Sequence, residues 1–396
     1  MNKLKTVATA TAGLAIGIAP LLISGPAQAH TRTAPLYVSA GAHGHHAADR
    51  NCATAAYGSI GAAVAAAPTG GSVIVCAGTY HEGVAVTRKL TVAGRPGATV
   101  DATGKITGVA VTAAGVTVSG LTVRNAIGEG ILVNGADHAT VTGNVVAHND
   151  LGGAPTDPVP NTYPECQANQ GVPGDCGEGI HLMGSSWSTV AGNVSHGNSG
   201  GILVSDEGRP AAHNRIVGNT VTGNLTACGI TVVGHNPAAA PNGVPAPSVA
   251  GTFDNDVIGN RISGNGLIAE GAGVVLATGV PGGAVYNNLV QGNDIQGNGL
   301  SGVTVHSHAP GQFLNNNVIR ANTIGTNNLN GDKDFAPAID TETTGVLVAT
   351  VAPLAIQITE NHITANHFGI WITGPAKVTG SATNHFTHVT TPVAHS

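Results

Sequence analysis

Short runs in which aliphatic or β-branched residues alternate with polar ones recur along most of the chain, and each is bounded by Gly or Asn. A period of two buries one face of each run, so the runs predict short strands. Two kinds of run take turns. One opens on Gly: Gly130-Ile-Leu-Val, Gly179-Ile-His-Leu, Gly201-Ile-Leu-Val, Gly229-Ile-Thr-Val, Gly273-Val-Val-Leu, Gly302-Val-Thr-Val, Gly345-Val-Leu-Val and Gly369-Ile-Trp-Ile. The other lies between two Asn with a constant spacing of five, seven times from Asn144/Asn149 to Asn361/Asn366, while the whole repeat varies from about 22 to 49 residues. Fixed strands and turns with a variable remainder predict a parallel β-helix, one coil per repeat. Equivalent residues then stack at ~4.8 Å, and an inward Asn can hydrogen-bond to its counterpart on the next coil, which offsets the cost of burying an amide. A β-sandwich would instead require antiparallel hairpins and no stacked Asn register.

Less regular coils precede these, at Ser72-Val-Ile-Val-Cys76, Gly83-Val-Ala-Val86, Leu90-Thr-Val-Ala-Gly94 and Val116-Thr-Val-Ser-Gly120. A solenoid needs a capped end, and Ser59-Ile-Gly-Ala-Ala-Val-Ala-Ala-Ala67 fits a short N-terminal helix with Ser59 as its cap. The stretch from Tyr57 to Gly104 resembles the entry coils of the pectin-lyase-like right-handed β-helix superfamily, and the coils to about residue 374 are similar to those of the nitrous oxide reductase maturation (NosD-type) and alginate epimerase groups. The resemblance implies an all-β, single-stranded right-handed parallel β-helix with a capping helix. It implies no particular activity, because these repeats encode the coil.

Residues 1–29 combine Lys3 and Lys5, an apolar stretch and Ala27-Gln28-Ala29, the pattern of a secretory signal peptide. A Gly/Ala/His segment, residues 30–51, is expected to be flexible, with the β-helix domain spanning 52–396. No later run is apolar enough for a membrane span. With 15 basic against 21 acidic residues, the net charge is −6, and −8 once the two leader lysines are removed. Nucleic acid is therefore a poor partner. An exported chain can keep disulfides. Cys52 with Cys76 and Cys166 with Cys176 are the expected pairs, with Cys228 a buried thiol; Cys176 with Cys228 is the open alternative.

The register also locates candidate chemistry. Five positions beyond the first strand residue lie Ser185, Glu207, His235, Gly279 and His308 in successive coils, so Glu207 and His235 are expected to be neighbours, with His308 further along the same wall. Asp206 and Glu207 are candidates for acid and nucleophile or base, assisted by His235 and His308, with Glu178, His181, Arg209 and His306 binding substrate. The competing reading makes Ser205-Asp-Glu-Gly-Arg209 a polar turn with a local ion pair. Three long insertions, Leu151 to Gly177, Gly234 to Gly251 and Thr326 to Thr344, suggest a walled cleft. The last holds Asp332, Asp334, Asp340 and Glu342, a composition that brings calcium forward without the ordered ligand spacing of an EF-hand. Trp371 either stacks on a sugar or is covered by the tail from Lys377 to Ser396.

Three functions remain open. One is a secreted polysaccharide-active enzyme: hydrolase, lyase or epimerase. The net charge of −8 leaves little to neutralise a uronate and favours hydrolysis or a metal-assisted reaction. Another is a non-catalytic β-helix that binds glycan or protein. The third is a copper-handling accessory protein using His43, His45 and His46, which resemblance to the maturation group makes worth naming.

Overall fold

The computed structural model describes residues 34–42, 51–149, 177–268, 271–331 and 341–396. Their strands form three long all-parallel sheets, of 12, 11 and 11 strands, and a small sheet of three. The chain visits the long sheets in turn, so each coil contributes one strand to each. The Gly-opened runs form one of the two 11-stranded sheets, called here the face sheet, in which Leu132, His181, Leu203, Thr231, Val275, Thr304, Leu347 and Trp371 occupy one register. Alternate residues such as Ile131, Ile180, Ile202, Ile230, Val274 and Val303 fill the core. Hairpins between these strands are excluded by the parallel pairing.

The Asn pairs stand at the two ends of the third sheet's strands and form two continuous ladders. Each inward Asn donates its Nδ2 to Oδ1 of the next, from Asn144 to Asn384 in one file (2.8–3.0 Å) and from Asn149 to Asn327 in the other (2.8–3.0 Å). A third ladder, Asn214–Asn255–Asn288–Asn317, extends the same device to the turn after the face sheet. It too was written in the sequence, as a further Asn five residues before Asn219, Asn260, Asn293 and Asn322. The Gly opening each face strand makes room for these ladders. A Cβ on Gly201 would lie 2.2 Å from the Gly229 carbonyl oxygen and 3.0 Å from Asn224 Nδ2, so the ladder amide fits only against a bare backbone.

The N-terminal end closes as its sequence suggests. Helix Ile60–Ala66 is capped by Ser59, whose hydroxyl accepts from Ala62 N–H, while Glu82 accepts from the N–H groups of Ile60 (2.7 Å) and Gly61 (2.9 Å). Cys52 and Cys76 form the expected disulfide. The domain boundary differs: Leu36–Val38, placed in the flexible segment, is a strand paired in parallel with Val73–Val75, because Leu-Tyr-Val continues the alternation of the first coil. Cys228 is half-buried rather than buried, and its sulphur accepts from Ala272 N–H at 3.3 Å. Cys166, Cys176, the leader and His43, His45 and His46 lie outside the described residues. Among those described, no helix is long and apolar enough to cross a membrane.

Interior ladder amides are expected to dominate stability. Asn260 accepts from the backbone and side-chain N–H of Asn219 and donates to Asn293 and the Ile216 carbonyl. Asn260→Ala strands several buried polar groups at about 1–3 kcal/mol each and should lower the melting temperature sharply by circular dichroism. His362→Ala, exposed on the third sheet, should stay within about 0.5 kcal/mol of the parent.

Candidate functional site

The outward residues of the face sheet are largely buried, and polar ones cluster where strands Glu178–Met183, Gly200–Ser205 and Ile230–Gly234 lie side by side. Alternation along the strand and into its turn sends His181, Leu203, Ser205 and Glu207 to the outer side. His235 follows on the next coil.

These side chains form one chain of hydrogen bonds. His181 Nδ1 meets Glu129 Oε1 at 2.9 Å and His181 Nε2 meets Ser205 Oγ at 2.7 Å. The Ser205 hydroxyl donates to Glu207 Oε2, and Glu207 Oε1 meets His235 Nδ1 at 2.6 Å. Glu129, His181 and Ser205 are buried; Glu207 and His235 sit at the partly exposed end. Glu, His and Ser in this order have the connectivity of a nucleophilic triad, but the Ser205 hydrogen is committed to a carboxylate and the residue is fully enclosed, so Ser205 transmits the chain instead of attacking.

The two adjacent carboxyls are pushed apart. Burial would raise Glu207, yet the hydrogen bond from His235 and the imidazoles of His181 and His235 hold it below its ordinary value. Asp206 turns the other way. Burial, with repulsion from Glu207, pushes it up to about 6 against the N–H groups it accepts. Those are the backbone N–H of His235 (2.6 Å), Asn236 (3.2 Å) and Gly251 (2.8 Å). Asp206, the expected acid or nucleophile, therefore ties both ends of the 235–251 insertion to the face sheet.

The remaining expectations divide. His308 stacks two rungs beyond His235, out of hydrogen-bonding contact with the Glu207 pair; its backbone N–H donates to Gln312, and its ring packs edge-on against His306 at 4.5 Å. Burial, with His308 adding to it, pushes His306 down to about 3, so this ring is a neutral group. Arg209 is taken up by an ion pair with Asp137 (2.8 Å) and by the Gly135 carbonyl, which matches the polar-turn reading of that residue. Glu178 lies with Glu129 and His181 on the buried side. Trp371 is covered, with Nε1 donating to Ser396 at 3.2 Å and the final strand Thr391–His395 paired alongside. Asp332, Asp334 and Asp340 lie outside the described residues, while the exposed Glu342 faces His367 at 3.8 Å.

Glu129 and Ser205 were missed as site residues. Glu129 had a signal: Glu129-Gly-Ile and Glu178-Gly-Ile repeat at equivalent positions of successive coils. Nothing in the sequence marks Ser205 beyond its place in the register.

The family model for periplasmic copper-binding protein (NosD) matches residues 114–290, which include the whole polar chain, and that for the right-handed β-helix region matches residues 240–386. The chain has the fold of a right-handed parallel β-helix. This β-helix is similar to the A-module of mannuronan C-5 epimerase AlgE4 from Azotobacter vinelandii, at 16% identity over 91% of this chain and 99% of that one, with a TM-score of 0.51. It is also similar to PfbA, a surface adhesin of Streptococcus pneumoniae, at 14% identity over 89% and 90%, with a TM-score of 0.56. At such identities the likeness is one of fold. No curated protein gives a significant match.

The split between the carboxyls has a measurable sign. Asp206 has a folded pKa of about 6, above its ordinary value of 3.8. Its contribution to stability is complete below the ordinary value and is lost as pH rises through the folded one. The depressed Glu207 contributes in the opposite sense, losing its part as pH falls through its folded value. Asp206→Asn removes the first dependence. Its unfolding free energy in urea, measured from about pH 4 to pH 7, should fall less with rising pH than that of the parent.

Proposed function

We propose that this β-helix is an exported polysaccharide-modifying enzyme in which His235 moves a proton on the sugar and Glu207 orients it. The hydrogen bond of 2.6 Å between Glu207 Oε1 and His235 Nδ1, at the partly exposed end of a buried polar chain, is the observation behind this reading. A carboxylate accepting from Nδ1–H selects the tautomer whose lone pair is on Nε2 and stabilises the imidazolium that proton abstraction creates. Export is supported by the leader-like residues 1–29 and by the Cys52–Cys76 disulfide.

The geometry moves the reaction class away from the hydrolysis that net charge favoured. Two-carboxylate glycoside hydrolysis needs both groups facing the scissile bond. Asp206 instead faces three backbone N–H groups. One imidazole base suits removal of the proton beside a uronate carboxyl. The proton passes to Nε2, and the resulting carbanion either expels the glycosidic oxygen of the adjacent carbon, which leaves as an alcohol with a proton from the imidazolium or water as the double bond forms, or takes a proton from water on its opposite face and so inverts. The solved relative that is a mannuronan C-5 epimerase is compatible with this class without establishing it.

A second reading, copper handling, is favoured by the match to the copper-binding family over residues 114–290.

Incubation of the purified protein with polyuronates and with neutral glycans should give product from a polyuronate only: unsaturated chromophores for elimination, or an altered uronate composition by NMR for epimerisation. His235→Ala and Glu207→Gln should each lower turnover by about 10²–10⁴-fold with the fold retained. Reducing ends from a neutral glycan, or full activity in His235→Ala, would overturn the assignment. Copper uptake abolished by deleting residues 41–47, with no glycan product, would favour the second reading.

A further inference from the structure

Behind the dyad, on the buried side of the polar chain, Glu129, Glu178 and His181 converge so that one donor atom from each lies within 4.8 Å of the others. We propose that these three side chains bind a single divalent transition-metal ion of the zinc or manganese type. The proposal stands on this geometry alone and is independent of the glycan reading.

The register explains how the ligands meet. Glu129 and Glu178 precede equivalent glycines on successive coils, with Gly130 N–H donating to the Glu178 carbonyl at 3.0 Å and Ile131 paired with Ile180. Their carboxyls are therefore stacked at about one rung, ~4.8 Å. Both are buried. Carboxylates brought this close on adjacent rungs stand at the spacing at which one cation can take an oxygen from each. The next coil makes room for the arrangement: Glu178 pairs with Gly200, where a Cβ would come within 3.2 Å of Glu178 Oε1.

His181 is already oriented for ligation. Its Nε2 is held by Ser205 Oγ at 2.7 Å, the outer-shell contact that fixes a ligating imidazole, and its Nδ1 points at Glu129. On metal binding the proton held between Nδ1 and Glu129 leaves to solvent, and both atoms turn from each other to the ion. One imidazole and two carboxylates suit zinc or manganese, and the absence of thiolate or thioether from the trio disfavours Cu(I). The trio shares no residue with the histidine segment of the copper reading or with the acidic residues near 340.

Chelator-treated full-length protein, titrated with Zn²⁺ and separately with Mn²⁺ in the absence of glycan, should take up one ion per chain by calorimetry and elemental analysis. Glu129→Gln and His181→Gln should each weaken uptake at least about 10-fold. Crystals of the unmodified protein soaked in Zn²⁺ should show an anomalous peak bounded by Glu129, Glu178 and His181, a readout that holds even if a variant fails to fold. No stoichiometric uptake, a peak elsewhere, or unchanged affinity in two folded variants would overturn the site. Loss of glycan turnover without loss of the peak would bear on His235 and Glu207 only.

Discussion

The hydrogen bond from each ladder amide to the next sets the geometry of everything else. A parallel sheet fixes the spacing of neighbouring strands, but by itself allows a coil to slip by two residues and still bury its apolar face. An Asn whose oxygen must accept from the coil before and whose nitrogen must donate to the coil after has no such freedom, because a slip leaves buried donors and acceptors on both sides unmatched. Asn219 illustrates this: its Oδ1 takes the backbone and side-chain N–H of Asn193, and its Nδ2 reaches Asn260 and the Val190 carbonyl. Three such files, one at each of three turns, lock register at the corners where insertions enter and leave. The insertions can then vary in length without disturbing the coils.

That lock is what assembles the polar chain. Glu129 and His235 are over a hundred positions apart in sequence, yet the side chains between them touch because each coil repeats the geometry of the last. The same rigidity distinguishes two adjacent carboxyls. Asp206 and Glu207 follow directly on the strand that ends at Ser205, and Glu207 joins the outward polar chain while Asp206 joins the neck of the 235–251 insertion. One is held ionised by imidazoles and a hydroxyl; the other is pushed up to about 6 in a buried place. Environment alone separates their roles.

The strands, two Asn ladders, the helix cap and the Glu207–His235 contact were legible because all are consequences of period: two within a strand, five between amides, one coil between equivalent residues. Counting from the first strand residue was enough to bring Glu207 to His235. Counting could not say which way a side chain turns once the strand ends. Asp206 and Arg209 were read as reactive or binding groups, but backbone N–H groups and Asp137 claim them, and such local partners follow from turn geometry that no period encodes. His308 sits on the expected rung, but two rungs are too far for contact, so shared register was a necessary condition and not a sufficient one. Glu129 escaped for the opposite reason: it has a period, but it stands two residues outside the strand used for counting.

A solenoid face built this way separates chemistry from selectivity. Groups on the sheet are spaced by the rung and cannot be moved without breaking a ladder, so the polar side chains there gain fixed distances. Substrate breadth must come from the parts that the ladders leave free. The 235–251 insertion is the clearest such part, anchored at its neck by Asp206 while Ala239, Ala240 and Ala250 pack against Tyr286 and Phe253 on neighbouring coils. Its inner end is tied to the Glu207–His235 pair through His235 itself, whose backbone N–H donates to Asp206 and whose ring meets Glu207. The insertion and the polar chain therefore share one anchor, the stretch from Asp206 to His235, so the loop that varies in length begins and ends at a point the ladders have fixed.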